Sequence, residues 1–202
     1  MPMKHFHKTI KGWAAFQSFY VDAVREAPAR GAHFVEVGSY FGRSAAFMAV
    51  EIANSSKLIF FDCIDPWTDG GPDLKHKGHK DIFPGFVKNV APVMRFIRPI
   101  RLPSLEAVEL YPNGSLDFVL LDGSHVYEDI RADIEAWLPK MKTGGVLAGD
   151  DYGWSGVKQA CDEIFGFDCG DGPPGKTVPK ACWRVRVTSG PNGVPGVEPY
   201  MA

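Results

Sequence analysis

Three aspartates and a histidine stand close together in two adjoining segments. Asp122 closes the apolar run "SLDFVLLDG", Asp150 and Asp151 close "GGVLAGDDY", and His125 follows Asp122 by three residues. Carboxylates at the end of a strand add nothing to a core. If the two strands are neighbours in a twisted parallel sheet, their ends meet, and three converging carboxylates repel unless a cation sits among them. Hard oxygen ligands without a thiolate favour Mg²⁺, with Mn²⁺ or Ca²⁺ as alternatives, over zinc. His125, at the start of the next helix, could reach a substrate held on that ion. The plainer alternative is an Asp122 that caps a helix and an aspartate pair that forms a turn.

Upstream, "VEVGSYFGRSA" sets Gly38 and Gly42 around Ser39 and ahead of Arg43 and Ser44. Glycines there let the chain turn sharply and approach a ligand, and the helix that follows points N–H groups toward the same crevice. A dinucleotide fingerprint needs a third glycine; this loop has two, and an acid, Glu36, stands two positions before the first. That acid suits a cationic or hydroxyl-rich ligand better than a pyrophosphate. S-adenosylmethionine, with an ammonium group, a ribose and no phosphate, fits. Asp65 ends the run "KLIFFDCID", where a carboxylate can bind ribose hydroxyls; its alternative is a turn residue before Pro66. Trp67 and Trp154 are candidates for pocket walls, and Ser104 for an adenine contact or a helix N-cap. The loop 67–80 carries Lys75, His76, Lys77, His79 and Lys80 and reads either as a lid over an acidic acceptor or as a solvated loop. His5 and His7 are expected to be exposed.

The elements that must position these residues alternate. Strand-like runs at 33–38, 57–65, 96–102, 115–123 and 144–152 are separated by helix-like segments, as in a doubly wound α/β fold with a mainly parallel sheet of about seven strands and helices on both faces. Two further runs, 176–178 and 183–187, would form an antiparallel hairpin at one edge. Ahead of the sheet, Trp13, Phe16, Tyr20 and Val24 recur at helical spacing. Open α/β sheets bind ligands beyond the carboxyl ends of their strands, and nearly every residue singled out lies at such an end.

The 202 residues form one expected domain: a helical segment over 1–30, the core over 31–188 and a loose Gly/Pro-rich tail over 189–202. A formal net charge of −2 offers no electrostatic footprint for nucleic acid or an anionic membrane. No apolar run approaches the roughly 20 residues that span a bilayer. The N-terminus lacks the apolar segment of a secretory signal, so a cytoplasmic protein with reduced, buried cysteines is expected, a disulfide being the alternative. A homo-oligomer is left open.

"FVEVGSYFGRS", "FFDCIDPW" and "DFVLLDGSHVYEDIRADIEAWLPKMKTGGVLAGDDY" together resemble the class I S-adenosylmethionine-dependent methyltransferases, over roughly residues 31–165. The resemblance is strongest to the branch of small-molecule O-methyltransferases acting on macrolide and aminocoumarin sugars, with catechol O-methyltransferase more distant. It implies a cofactor bound by Glu36 and Asp65, a metal on Asp122, Asp150 and Asp151, and His125 as general base. S-adenosylhomocysteine would be the product, and a small hydroxylated molecule the acceptor. Relatives carry a longer N-terminal region or lid, which here is reduced to one helix. Three competing readings remain: a metal-independent methyltransferase, an NAD-dependent oxidoreductase and a non-catalytic adenosine-ligand-binding protein.

Overall fold

The computed structural model describes residues 1–68, 81–170, 182–190 and 193–201. Among these residues seven strands form one sheet: β1 (Arg30–Val37), β2 (Leu58–Ile64), β3 (Arg98–Ile100), β4 (Leu116–Leu121), β5 (Met141–Gly149), β6 (Trp183–Ser189) and β7 (Pro195–Pro199), in the order β3-β2-β1-β4-β5-β6-β7. The first five are parallel, and β6 and β7 follow antiparallel. Among the described residues the helices are α1 (Gln17–Glu26), α2 (Arg43–Ser55), α3 (Phe83–Val90), α4 (Ser104–Ala107), α5 (Tyr127–Trp137) and α6 (Ser155–Phe165), with short 3₁₀ turns extending α3, α4 and α5. The expected Rossmann-like sheet is present.

Successive strand residues point to opposite faces, and both faces are covered. Phe34, Phe61, Cys63, Phe118, Leu120 and Ala148 meet α1, α2 and α3, while Val35, Val37, Ile64, Val119, Leu121 and Leu147 meet α4, α5 and α6. This is why the strands read as continuous apolar runs. Glu36 shares the face of Phe34, and so points toward α1 and α2.

The strand order reverses between β1 and β4, and the backbone ladder overruns the strands on this side. Gly38 donates to the Ile64 carbonyl (2.9 Å), Asp65 to Ile100 (3.2 Å), Asp122 to Val37 (2.8 Å) and Asp150 to Leu121 (3.2 Å). Each is the first residue beyond its strand, so the register itself lines up Asp65, Asp122 and Asp150 along the carboxyl edge.

Four expectations need correction. The N-terminal helix begins only at Gln17; Trp13 lies outside it and is 80% exposed, while Phe16, Tyr20 and Val24 are buried. The stretch 189–202 is not a loose tail, because β7 pairs with β6 and Tyr200 donates to Glu26. The edge hairpin is therefore β6–β7; residues 176–178 lie outside the described ones. His7 is buried, its ring edge-on to Phe47 at 5.0 Å. All four cysteines are buried and, among the described residues, none forms a disulfide; no helix among those residues is long and apolar enough to cross a membrane.

Candidate active site

The glycine loop is built by three left-handed residues. Gly38 (φ 91°), Tyr40 (φ 44°) and Gly42 (φ 84°) bring the chain from β1 to the first turn of α2. At Gly38 a side chain is excluded: a Cβ would lie 2.0 Å from the Asp122 carbonyl oxygen. The loop and the end of β4 are thus in backbone contact. Tyr40 is held in its unfavourable conformation from two sides, its N–H donating to Asp65 Oδ2 (2.8 Å) and its carbonyl accepting the Trp67 indole N–H (2.8 Å). Trp67 and Asp151 also have positive φ (49° and 58°). Non-glycine residues in this region each cost of order 1–3 kcal/mol and gather at functional sites; these three follow β1, β2 and β5.

Glu36 is fully buried beneath the loop. Tyr20 of α1 donates its hydroxyl to Glu36 Oε2, whereas Glu36 Oε1 and the buried Ser39 hydroxyl have no hydrogen-bond partner among the described residues. Burial pushes the Glu36 carboxyl up to about 7; Tyr20 and the nearby Ser39 and Ser44 hydroxyls oppose that rise, and Asp65 adds to it. A buried carboxylate oxygen and a hydroxyl left without partners fit a cationic donor group such as an ammonium. Asp65 accepts the Tyr40 and Trp67 N–H groups, and burial raises its pKa against those bonds.

Asp122, His125 and Asp151 each offer one ligand atom, all within 4.8 Å of one another, and all three are half-buried. His125 Nε2 meets Asp151 Oδ2 at 2.5 Å, and its ring stacks on Trp154, centroids 5.0 Å apart. Burial, then Asp150, Glu36, Asp151 and Asp65, hold the Asp122 carboxyl well above the usual carboxylate range. Such a gathering of acids is stabilised by positive charge, and carboxyls perturbed in this way are common at functional sites.

The expected set is only partly assembled. Asp150 is not in the cluster: its Oδ1 accepts the Cys182 thiol (3.1 Å) and the Asp151 N–H (2.9 Å), and His125 stands among the candidate ligands in its place. Trp67 walls no open pocket, being fully buried against Phe83 and Phe86. Ser104 does not cap a helix; Pro103 precedes it at that position, and its hydroxyl donates to Asp133 (2.6 Å) and accepts the Trp137 N–H (2.9 Å). Trp154 is 57% exposed at the rim. The loop residues Lys75, His76, Lys77, His79 and Lys80 lie outside the described residues. Tyr20 joins the site unannounced by the sequence, because within the stripe of Phe16, Tyr20 and Val24 nothing distinguishes it from core.

A family model described as "Methyltransferase domain" matches residues 35–152, which run from the middle of β1 through the glycine loop to the aspartate pair. The chain belongs to the methyltransferase-domain family. An uncharacterized protein of Sinorhizobium fredii, y4gI, is 27% identical over 152 residues, 73% of this chain; the chain spans only 16% of the length of that curated relative. Among solved structures the methyltransferase domain is similar to the O-methyltransferase NovP, with a TM-score of 0.62 at 18% identity over 85% of this chain and 79% of that one. It is also similar to CalS11, a TDP-rhamnose 3'-O-methyltransferase of calicheamicin biosynthesis, with a TM-score of 0.57 at 21% identity over 83% and 76% of the two chains. These two likenesses establish a shared fold.

Proposed function

We propose that the protein is an S-adenosylmethionine-dependent methyltransferase that methylates a hydroxyl oxygen of a small acceptor, a sugar or another hydroxylated natural product. The observation that carries this reading is the pairing, along one sheet edge, of the unpartnered Glu36 Oε1 with the Asp122–His125–Asp151 cluster. Glu36 would hold the cofactor's ammonium group, and Asp65, beside the loop it pins, its ribose. The choice of oxygen as acceptor is supported by the likeness to NovP and CalS11, and that of a sugar by the latter.

When bound, S-adenosylmethionine supplies a sulfonium methyl group: the acceptor oxygen–carbon bond forms as the carbon–sulfur bond breaks, and the electron pair stays on sulfur. The chain's tasks are to align the acceptor and take its proton. Asp122 and Asp151 would hold a divalent ion, with His125 as third ligand or as the proton acceptor. Such an ion lowers the pKa of a hydroxyl and orients it. Mg²⁺ suits the two carboxylates, and a nitrogen ligand shifts preference toward Mn²⁺.

The His125–Asp151 contact also supports a metal-independent reading, in which Asp151 orients the imidazole as a base. The two readings part on chelation. Protein treated with EDTA should bind S-adenosylhomocysteine unchanged in calorimetry but transfer no methyl group to hydroxylated acceptors until Mg²⁺ or Mn²⁺ is restored. Full activity after chelation selects the metal-independent enzyme. Absence of any S-adenosylhomocysteine binding overturns both. A dinucleotide-dependent oxidoreductase is disfavoured by the buried Glu36 beneath the loop, where a pyrophosphate would have to lie.

A further inference from the structure

We infer that Tyr20 is a positioning residue of the cofactor site: its hydroxyl engages one oxygen of Glu36 so that the other, Oε1, is presented as a carboxylate to the ligand's ammonium group. The inference rests on the cofactor reading above.

Tyr20 reaches the site from outside the residues matched by the family model, on a helix that is fastened in place. Lys57 Nζ donates to the carbonyls of Val24, Arg25 and Ala27 at the end of α1 (2.6–2.8 Å). Arg184 pairs with Asp22 at 2.8 Å and Arg186 with Glu26 at 2.8 Å, tying the helix to β6. The Tyr20 ring is 1% exposed and wedged edge-on against Phe16 (5.3 Å) and Phe118 (5.7 Å). Its hydroxyl therefore has no freedom to swing away from Glu36.

The groups facing Glu36 make this bond matter. From α1 comes Tyr20, from the loop and α2 the hydroxyls of Ser39 and Ser44, from β2 Cys63, and from the strand ends Asp65 and Asp122. No cationic side chain is among these influences. Burial, with Glu36 beside it, raises the Tyr20 pKa well above its usual value, so the phenol remains a donor. A carboxylate in this setting keeps its charge only through donated hydrogen bonds. Without the phenol, Oε2 would be a buried acceptor with no partner and the proton would return to Glu36. The neutral acid would then lose its hold on an ammonium group.

The test is calorimetry with two ligands, S-adenosylhomocysteine and its analogue with hydrogen in place of the α-amino group. Tyr20→Phe keeps the ring, and thermal melts of the free variant verify that it folds. The expected result is roughly ten- to hundredfold weaker binding of S-adenosylhomocysteine with the deamino analogue changed less than about threefold. In a Glu36→Gln background, Tyr20→Phe should add no further loss. Equal weakening of both ligands assigns Tyr20 to packing alone and overturns the inference, as does unchanged affinity. If the wild-type protein binds neither ligand, the cofactor reading itself fails and this inference with it; if only the Tyr20→Phe pattern fails, the cofactor reading survives.

Discussion

Trp154 lies flat against His125, their ring centroids 5.0 Å apart and their planes 23° from parallel. The stack fixes the rotation of the imidazole while Asp151 Oδ2 holds Nε2 at 2.5 Å. Trp154 itself is exposed at the N-terminus of α6, so little of the fold depends on it. Trp154→Ala should therefore lower methyl transfer by up to about tenfold, the worth of an aromatic stack. The melting temperature should move by no more than about 2 °C. Steady-state kinetics beside a thermal melt checks this, and a collapse in stability without a kinetic effect would assign the residue to packing.

The two adjacent aspartates should behave differently. Asp151 lies in the cluster with Asp122 and His125, whereas Asp150 faces the Cys182 thiol and the turn. Removing the partners that merely orient metal ligands costs about 10–100-fold. Asp122→Asn and Asp151→Asn should exceed that loss in turnover and in Mn²⁺ affinity, and Asp150→Asn should fall below it. Equal losses at Asp150 and Asp151 would return both adjacent acids to the metal site.

The strand ends were legible because three of the five parallel strands, β2, β4 and β5, carry an apolar run that stops at an acid, Asp65, Asp122 and Asp150. Which of Asp150 and Asp151 turns into the cluster was not legible, since it depends on the left-handed conformation of Asp151 (φ 58°). Tyr20 was hidden for a different reason: its ring is core, and only its hydroxyl, reaching Glu36 from 16 residues away in sequence, belongs to the site. The role of Trp67 was not legible because its ring turns inward to the core, leaving the indole N–H to the Tyr40 carbonyl and the backbone N–H to Asp65. Composition concealed β7 as well, because proline and glycine are tolerated on an edge strand.

Gly38 and Gly42 make a matched test of the loop. A Cβ on Gly38 would meet the Asp122 main chain at 2.0 and 2.5 Å, and backbone cannot step aside without disturbing β4. On Gly42 it would meet Val90 Cγ1 at 2.6 Å and the Phe86 ring, side chains able to shift. Both carry the left-handed penalty of about 1–2 kcal/mol, to which overpacking adds about 1–3. Gly38→Ala should lose about 2–5 kcal/mol in denaturant titration, and Gly42→Ala less. The reverse order would show that the loop and the end of β4 are not in tight contact.

Glu36 carries the clearest opposition between stability and binding. Burial pushes its carboxyl from the ordinary 4.5 up to about 7. Between those values the folded protein holds a proton that the unfolded chain releases, so folding stability falls as pH rises through this window and levels off above it. Glu36→Gln removes the ionisation while keeping an acceptor for the Tyr20 hydroxyl. The variant should match the wild type near pH 4.5 and exceed it by on the order of 3 kcal/mol at pH 8. S-adenosylhomocysteine should narrow or reverse that order, stabilising the wild type by mass action more than the weaker-binding variant. Thermal melts at the two pH values, with and without the ligand, measure both halves. A variant no more stable than the wild type at pH 8 would mean that the buried carboxylate ionises without cost, and that positive charge is not what this site requires.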